Sequence, residues 1–261
     1  MQRRVLMGFG AAVVVALGVL AWWRLTPRRR GLAEPRIVLV TGEATLDSRR
    51  IRAAEPFLVG VPLRTGLGSA CFSVHASRVC LGANTRGRLA ELSPDSARIE
   101  ADQGVIVLRS SGDQLRLTLP DGTVDVQNGV ASVEVAGGDV VVRALEGSAS
   151  VQAAGKAAVV VQAPGAVGLR DGARRPPAPQ VEREEMQVTE IARRWQGSAG
   201  AILQIDGFGS HVEIDGDEIG RAPASVLLDE GEHTLVTRTG PRDAKTETLH
   251  LKAGETVVRG G

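Results

Sequence analysis

The spacing of hydrophobic positions changes along this chain, and each regime predicts a different element. Residues 5–23, VLMGFGAAVVVALGVLAWW, carry no charged side chain. A helix rises about 1.5 Å per residue, so a run of this length nearly crosses a hydrocarbon core about 30 Å thick. One transmembrane helix is predicted there. From residue 36 the pattern shortens to β-branched or alternating runs, at residues 37–40, 114–119, 130–135, 140–142 and 157–161. Thr41-Gly42, Pro120-Asp121-Gly122, Asn128-Gly129, Gly137-Gly138, Glu146-Gly147 and Ala154-Gly155 punctuate them. That spacing predicts an antiparallel, all-β region over residues 36–170. Pro176, Pro177 and Pro179 then make an extended spacer. Residues 181–195 show a helical stripe of Val181, Val188, Ile191, Ala192 and Trp195, with glutamates at its start and Arg193-Arg194 at its end. Strand-like runs resume at 201–205, 211–214, 225–228, 233–238, 246–251 and 255–258. About sixty residues bury only a modest core, so this last unit is expected to lean on a neighbour or a partner.

The apolar run is read as an uncleaved anchor rather than a secretory signal. It exceeds the roughly 7–15 residues of a signal-peptide core. It ends in Trp22 and Trp23 and continues into Arg24, Arg28, Arg29 and Arg30, with no small-x-small cleavage site. Those six residues are the expected membrane-interface set, with aromatic rings at headgroup level and arginines on anionic headgroups. The division predicted is a cytoplasmic tail (1–4), the transmembrane helix (5–23), a basic juxtamembrane linker (24–35), a β domain (36–170), a Pro-rich linker with a helix (171–198) and a small β domain (199–261). Flanking charge alone sets Arg3 and Arg4 against four arginines beyond the run, which favours a cytoplasmic C-terminal side. The cysteine arrangement and the family resemblances below favour export.

Composition narrows the partners. The chain is 43% hydrophobic and carries a net charge of +1. Six of its 31 Lys and Arg residues fall in residues 1–30, which leaves 25 against 30 Asp and Glu in the main body. A mildly acidic body lacks the basic footprint that nucleic acid requires.

Two stretches resemble known families. Residues 62–69 (PLRTGLGS) followed by 79–86 (VCLGANTR) resemble the FecR domain, with its threshold-glycine segment and its hairpin ending in Leu-Gly-x-Asn/Gly-Thr/Ser. Residues 99–107 and 142–151 resemble that family's later strands, so the likeness spans about residues 36–170. The family's usual Asp-Gly hairpin turn is His75-Ala76 here. Residues 212–223 (VEIDGDEIGRAP), with 228–235 and 251–256, resemble the PEGA domain over about residues 199–259. Gly207-Phe208-Gly209-Ser210 stands where the tetrapeptide that names that family is found. The fold class expected is therefore mainly β: an N-terminal transmembrane helix, a FecR-like antiparallel β domain, a short linker helix and a PEGA-like β-sandwich.

With the turn at His75-Ala76, counting outward sets Cys71 opposite Cys80 at a non-hydrogen-bonded position. Opposed Cα atoms there lie about 4.5 Å apart, within disulfide range. A bridge would require an oxidising compartment; the alternative is two reduced, small hydrophobes. His75, His211, His233 and His250 are scattered without ligand spacing. Asp215-Gly216-Asp217-Glu218 lacks the remaining ligands of a calcium loop and reads as a polar hairpin turn. No nucleophile elbow or P-loop is present, and Asp121, Glu134 and Glu146 name no catalytic dyad. No cofactor, metal or catalytic residue is expected.

FecR-type regulators resemble single-pass inner-membrane proteins that sense a transporter outside and handle a sigma factor inside. Here only residues 1–4 precede the apolar run, too few for a sigma-binding bundle. The function expected is a membrane-anchored, periplasmic, non-enzymatic binding or adaptor protein of the bacterial envelope, lacking a cytoplasmic anti-sigma region. Its partners would be the membrane and an envelope protein or polysaccharide. One alternative is a signal-transduction component acting on a sigma-factor system through another membrane protein; a second is an envelope glycan hydrolase.

Overall fold

The computed structural model describes residues 34–170, 173–175, 200–240 and 242–260. The predicted transmembrane and linker helices lie outside these residues, as do Trp22, Trp23, Arg24, Arg28, Arg29 and Arg30. The described residues contain strands and no helix, so the protein is mainly β.

The strands run β1 Arg36–Thr41, β2 Ala44–Leu46, β3 Arg49–Arg50, β4 Pro62–Thr65, β5 Ser69–Val74, β6 Ser77–Leu81, β7 Arg86–Ser93 and β8 Ser96–Ser110. Next come β9 Gln114–Leu119, β10 Gly122–Val126, β11 Gly129–Ala136, β12 Asp139–Glu146, β13 Ser148–Ala153, β14 Val159–Gln162, β15 Gly165–Arg170 and β16 Ala173–Arg175. The last are β17 Ala201–Asp206, β18 His211–Ile214, β19 Asp217–Arg221, β20 Ala224–Leu228, β21 Gly231–Arg238, β22 Ala244–Leu251 and β23 Thr256–Gly260.

Three sheets result. The first has the order β16-β15-β12-β11-β8-β6-β5-β1-β20-β17-β23, antiparallel except for β17–β23. The second is β3-β2-β4-β7-β8-β9-β10-β13-β14, antiparallel except for β8–β9. The third is β19-β18-β21-β22. Strand β8 serves two sheets: up to Gln103 it pairs with β7 and β9, and from Gly104 it pairs with β6 and β11. Gly104 makes the change of direction at φ 91°, a conformation open to glycine.

Alternation along the strands divides the core in two. Directly opposed residues share a sheet face, so Val40, Ala70, Leu81, Ile106, Val133 and Val142 form one row across the first sheet. This row packs with Leu63, Leu89, Ile99, Leu117 and Val124 of the second sheet in the larger core. The opposite face carries the row Leu203, Val226, Leu39, Cys71, Cys80 and Val107, and these residues pack with Val212, Ile214, Ile219 and Leu235 of the third sheet. The FecR-like and PEGA-like stretches thus share one sheet through β1–β20 and one core behind it. Residues Glu34–Gly261 form a single compact unit.

Strand β19 was not anticipated from the sequence. Its residues Asp217, Glu218 and Arg221 suit a sheet edge, where charge discourages further pairing. The hairpin reverses at Asp215 (φ 53°) and Gly216 (φ 85°), so Asp217 and Glu218 are strand residues rather than turn residues.

Candidate interaction surfaces

The residues that carry the FecR resemblance knot three chain segments together. Thr65 and Thr85 are buried. The Thr65 hydroxyl faces the Gly82 carbonyl at 2.5 Å and accepts from the Thr85 amide at 2.9 Å. The Thr85 hydroxyl accepts from the Val105 amide at 3.0 Å, the Asn84 amide donates to Gly66 O, and the Gly66 amide donates to Glu43 O. Gly68 lies so close to β1 that an added Cβ would sit 1.7 Å from Thr41 O. These positions are therefore architecture: they satisfy buried backbone groups that would otherwise lose their partners. Thr85→Val should remove the acceptor for Val105 N and lower unfolding free energy by about 1–3 kcal/mol, read from urea denaturation.

The two cysteines form a disulfide, with Cα atoms 4.1 Å apart. They are opposed across the β5–β6 hairpin, which turns at His75 with φ 52°. Cys71 and Cys80 are 1% and 0% exposed, sealed in the core between the first and third sheets.

The outer face of the second sheet is a ladder of ion pairs. Arg88 meets Glu100 at 2.5 Å, Arg98 meets both Glu100 and Glu91, and Arg116 meets Asp125 at 2.7 Å. The hydrogen bond from Arg98 holds the Glu91 carboxyl below the usual range, and that from Arg88 does the same for Glu100. Arg116 is held more firmly protonated by Asp125. A cleft of about 430 Å³ opens on this face, lined by Pro62, Arg86, Arg88, Glu100, Asp102 and Leu119 among others. A carboxylate stabilised in its ionised form is a poor general acid at neutral pH. Across β7 to β10 the row runs Glu91, Arg98, Arg116 and Asp125, so the two arginines sit side by side between the carboxylates.

Part of this chain is similar to two crystal structures of a provisionally assigned anti-sigma factor from Parabacteroides distasonis, at 2.50 and 1.65 Å resolution. Their identities to this chain are 15% and 14%, each with a TM-score of 0.39, over 46% of this chain and 61% of theirs. No protein-family model matches the chain, and no curated protein matches it.

The histidines are dispersed. His75 Nε2 contacts Ser93 O at 2.8 Å, His211 pairs with Glu218, and His250 lies 3.7 Å from Glu232. Among the described residues no group of three or more His, Cys, Asp or Glu is placed to hold a metal ion. Asp215 is occupied in its hairpin: one carboxylate oxygen accepts from Thr234 N at 2.8 Å, and the other faces His233 Nδ1 at 2.7 Å. Glu134 lies 3.5 Å from Arg143.

His233 carries a pH signature. Burial opposes its charged form, but the hydrogen bond to Asp215 and a second to Asp229 O outweigh it, so its pKa is raised. A raised folded pKa stabilises the fold below the unfolded value near 6.5, and that contribution is lost as pH climbs through the folded value. Melting temperature should therefore fall as pH rises from about 6.5. In Asp215→Asn this part of the slope should flatten, and the imidazole NMR titration should move back toward its ordinary midpoint.

Sequence reasoning passed over several exposed apolar side chains. Leu67 is 89% exposed and Phe208 93% exposed, each flanked by two glycines. Ile205, Ala224, Thr41 and Ser69 are opposed in a row, so both loops extend from the same end of the first sheet. Leu58 and Val59 are half exposed on another loop. The Gly-Leu-Gly and Gly-Phe-Gly triplets were the available signals, since glycines on both sides mark a turn rather than a strand.

Proposed function

We propose that this chain is a membrane-anchored binding module held outside the cytoplasm of a bacterial cell, an adaptor rather than an enzyme. The observation that carries the reading is the buried Cys71–Cys80 disulfide. Such bonds form and persist in oxidising compartments and are rare in the cytosol. The apolar residues 5–23 supply the anchor, and Trp22, Trp23, Arg24, Arg28, Arg29 and Arg30 its interface. The resemblance of residues 36–170 to FecR domains and of residues 199–259 to PEGA domains supports an envelope protein or polysaccharide as partner. The polar ladder on the second sheet suits either, because its arginines and carboxylates recognise hydroxyl and amide groups without chemistry.

Reporter fusions at Gly261 test the placement. An active alkaline phosphatase fusion with a dark green-fluorescent-protein fusion is expected. The reverse pair would overturn the reading and restore the orientation that the flanking arginines favour.

A further inference from the structure

The loop over residues 56–60 is pinned where the chain joins the fold. Arg36 bridges Pro56, the Phe57 amide donates to Pro35 O at 2.8 Å, and the Ile37 amide donates to Glu55 O at 2.8 Å. Phe57 is buried against Phe72, with ring centroids 4.2 Å apart. The Gly60 amide donates to Leu89 O at 2.7 Å and fixes the far side. Leu58 follows Pro56 by two residues, and Glu34 precedes Arg36 by two on the facing segment. A firmly held loop thus displays Leu58 and Val59, 52% and 48% exposed, at the point where the described fold meets the N-terminal sequence.

What precedes that point identifies the occupant. Ten residues, 24–33, separate the apolar run from Glu34, and four of them are arginines. Fully extended they span at most about 34 Å, and headgroup attraction for the arginines shortens the working distance. Exposed Arg36 and Arg52 lie beside the loop, set against exposed Glu34 and against Glu55, which pairs with Arg49.

We infer that this loop is a membrane-contacting foot: Leu58 and Val59 enter the interfacial layer of the bilayer that holds residues 5–23. The inference rests on the anchored reading above. The Leu67 and Phe208 loops lie beyond Thr41, at the other end of β1 from Arg36.

The test uses the full chain in vesicles of phosphatidylethanolamine and phosphatidylglycerol, with the native cysteines paired. A nitrobenzoxadiazole label goes on Val59→Cys, and on Leu67→Cys as the equally labelled control; Leu58→Cys repeats the first site. The Val59 label should become at least about twofold brighter on reconstitution, with stronger quenching by shallow than by deep spin-labelled lipid, as fits a depth of about 5–10 Å. The Leu67 label should stay as in water, and adding Leu58→Asp should abolish the Val59 brightening. Vesicle flotation of the same samples separates the two readings. A chain that floats while its Val59 and Leu58 labels remain in water overturns the foot and leaves the anchor standing. A chain that does not float overturns both.

Discussion

Val226→Asp is expected to unfold residues Glu34–Gly261 as one body, not the PEGA-like stretch alone. Val226 is fully buried and opposes Leu39 of β1 on one side and Leu203 of β17 on the other. A carboxylate there would lie in the core that also holds Cys71, Cys80 and Val107, with no polar partner in the row. Burying an unpaired charge belongs to the few mechanisms that cost more than about 4 kcal/mol, a large share of a total stability of about 5–15 kcal/mol. Leu39→Ala, which deletes the facing side chain from the other stretch, should cost about 2–5 kcal/mol through the same cavity-forming contact. The discriminating readout is the shape of the melt. A single cooperative transition that moves down in both variants fits a shared sheet. A preserved FecR-like transition in Val226→Asp would mean that the two stretches fold apart.

The second large effect is expected at Gly68. Its backbone φ needs no glycine, but the space does: a Cβ would lie 1.7 Å from Thr41 O and 2.9 Å from Gly42 Cα, both main-chain atoms. Neither can rotate away as a side chain would, so Gly68→Ala must push the β4–β5 turn off β1 and disturb the Thr65–Thr85 knot beneath it. The cost should reach at least about 3 kcal/mol, the upper part of the overpacking range. Gly60→Ala is the contrasting case. Gly60 has φ 83° with nothing within 4 Å of its Cβ position, so only the left-handed backbone opposes alanine, at about 1–2 kcal/mol. Equal losses in the two variants would remove the steric account of the Gly-Leu-Gly segment.

Much of this architecture was legible in the chain, and the unread parts share a physical cause. Strands with one face in water announce themselves by alternation: β9, QLRLTL, alternates exposed or half-buried with buried positions as its sequence suggests. The hairpin of β5 and β6 was legible by counting, because a two-residue turn fixes which residues oppose each other, Cys71 and Cys80 included. Joining the two stretches was harder. Strands β1 and β20 are buried almost throughout, and IVLV and SVLL show no alternation. An unbroken apolar run is the mark of a strand covered on both faces; it tells that a strand is central, not which distant strand lies beside it. The arginine–carboxylate ladder was hidden only in part: its ion pairs lie within the two-residue hairpins β7–β8 and β9–β10. What sets Arg98 beside Arg116 is the parallel β8–β9 register, which local sequence does not encode. Leu58, Val59, Leu67 and Phe208 went unread, since a large apolar residue does not declare its exposure until the turn that carries it is known.

The most direct test of the central claim is the redox state of Cys71 and Cys80 in the cell. Full-length chain is acid-trapped from intact bacteria, denatured, and treated with a thiol-reactive polyethylene glycol with and without prior reduction. The expected result is no mass shift before reduction and a two-tag shift after it, as for a disulfide formed outside the cytosol. Two tags added without reductant would show free thiols in the living cell and contradict the extracytoplasmic account.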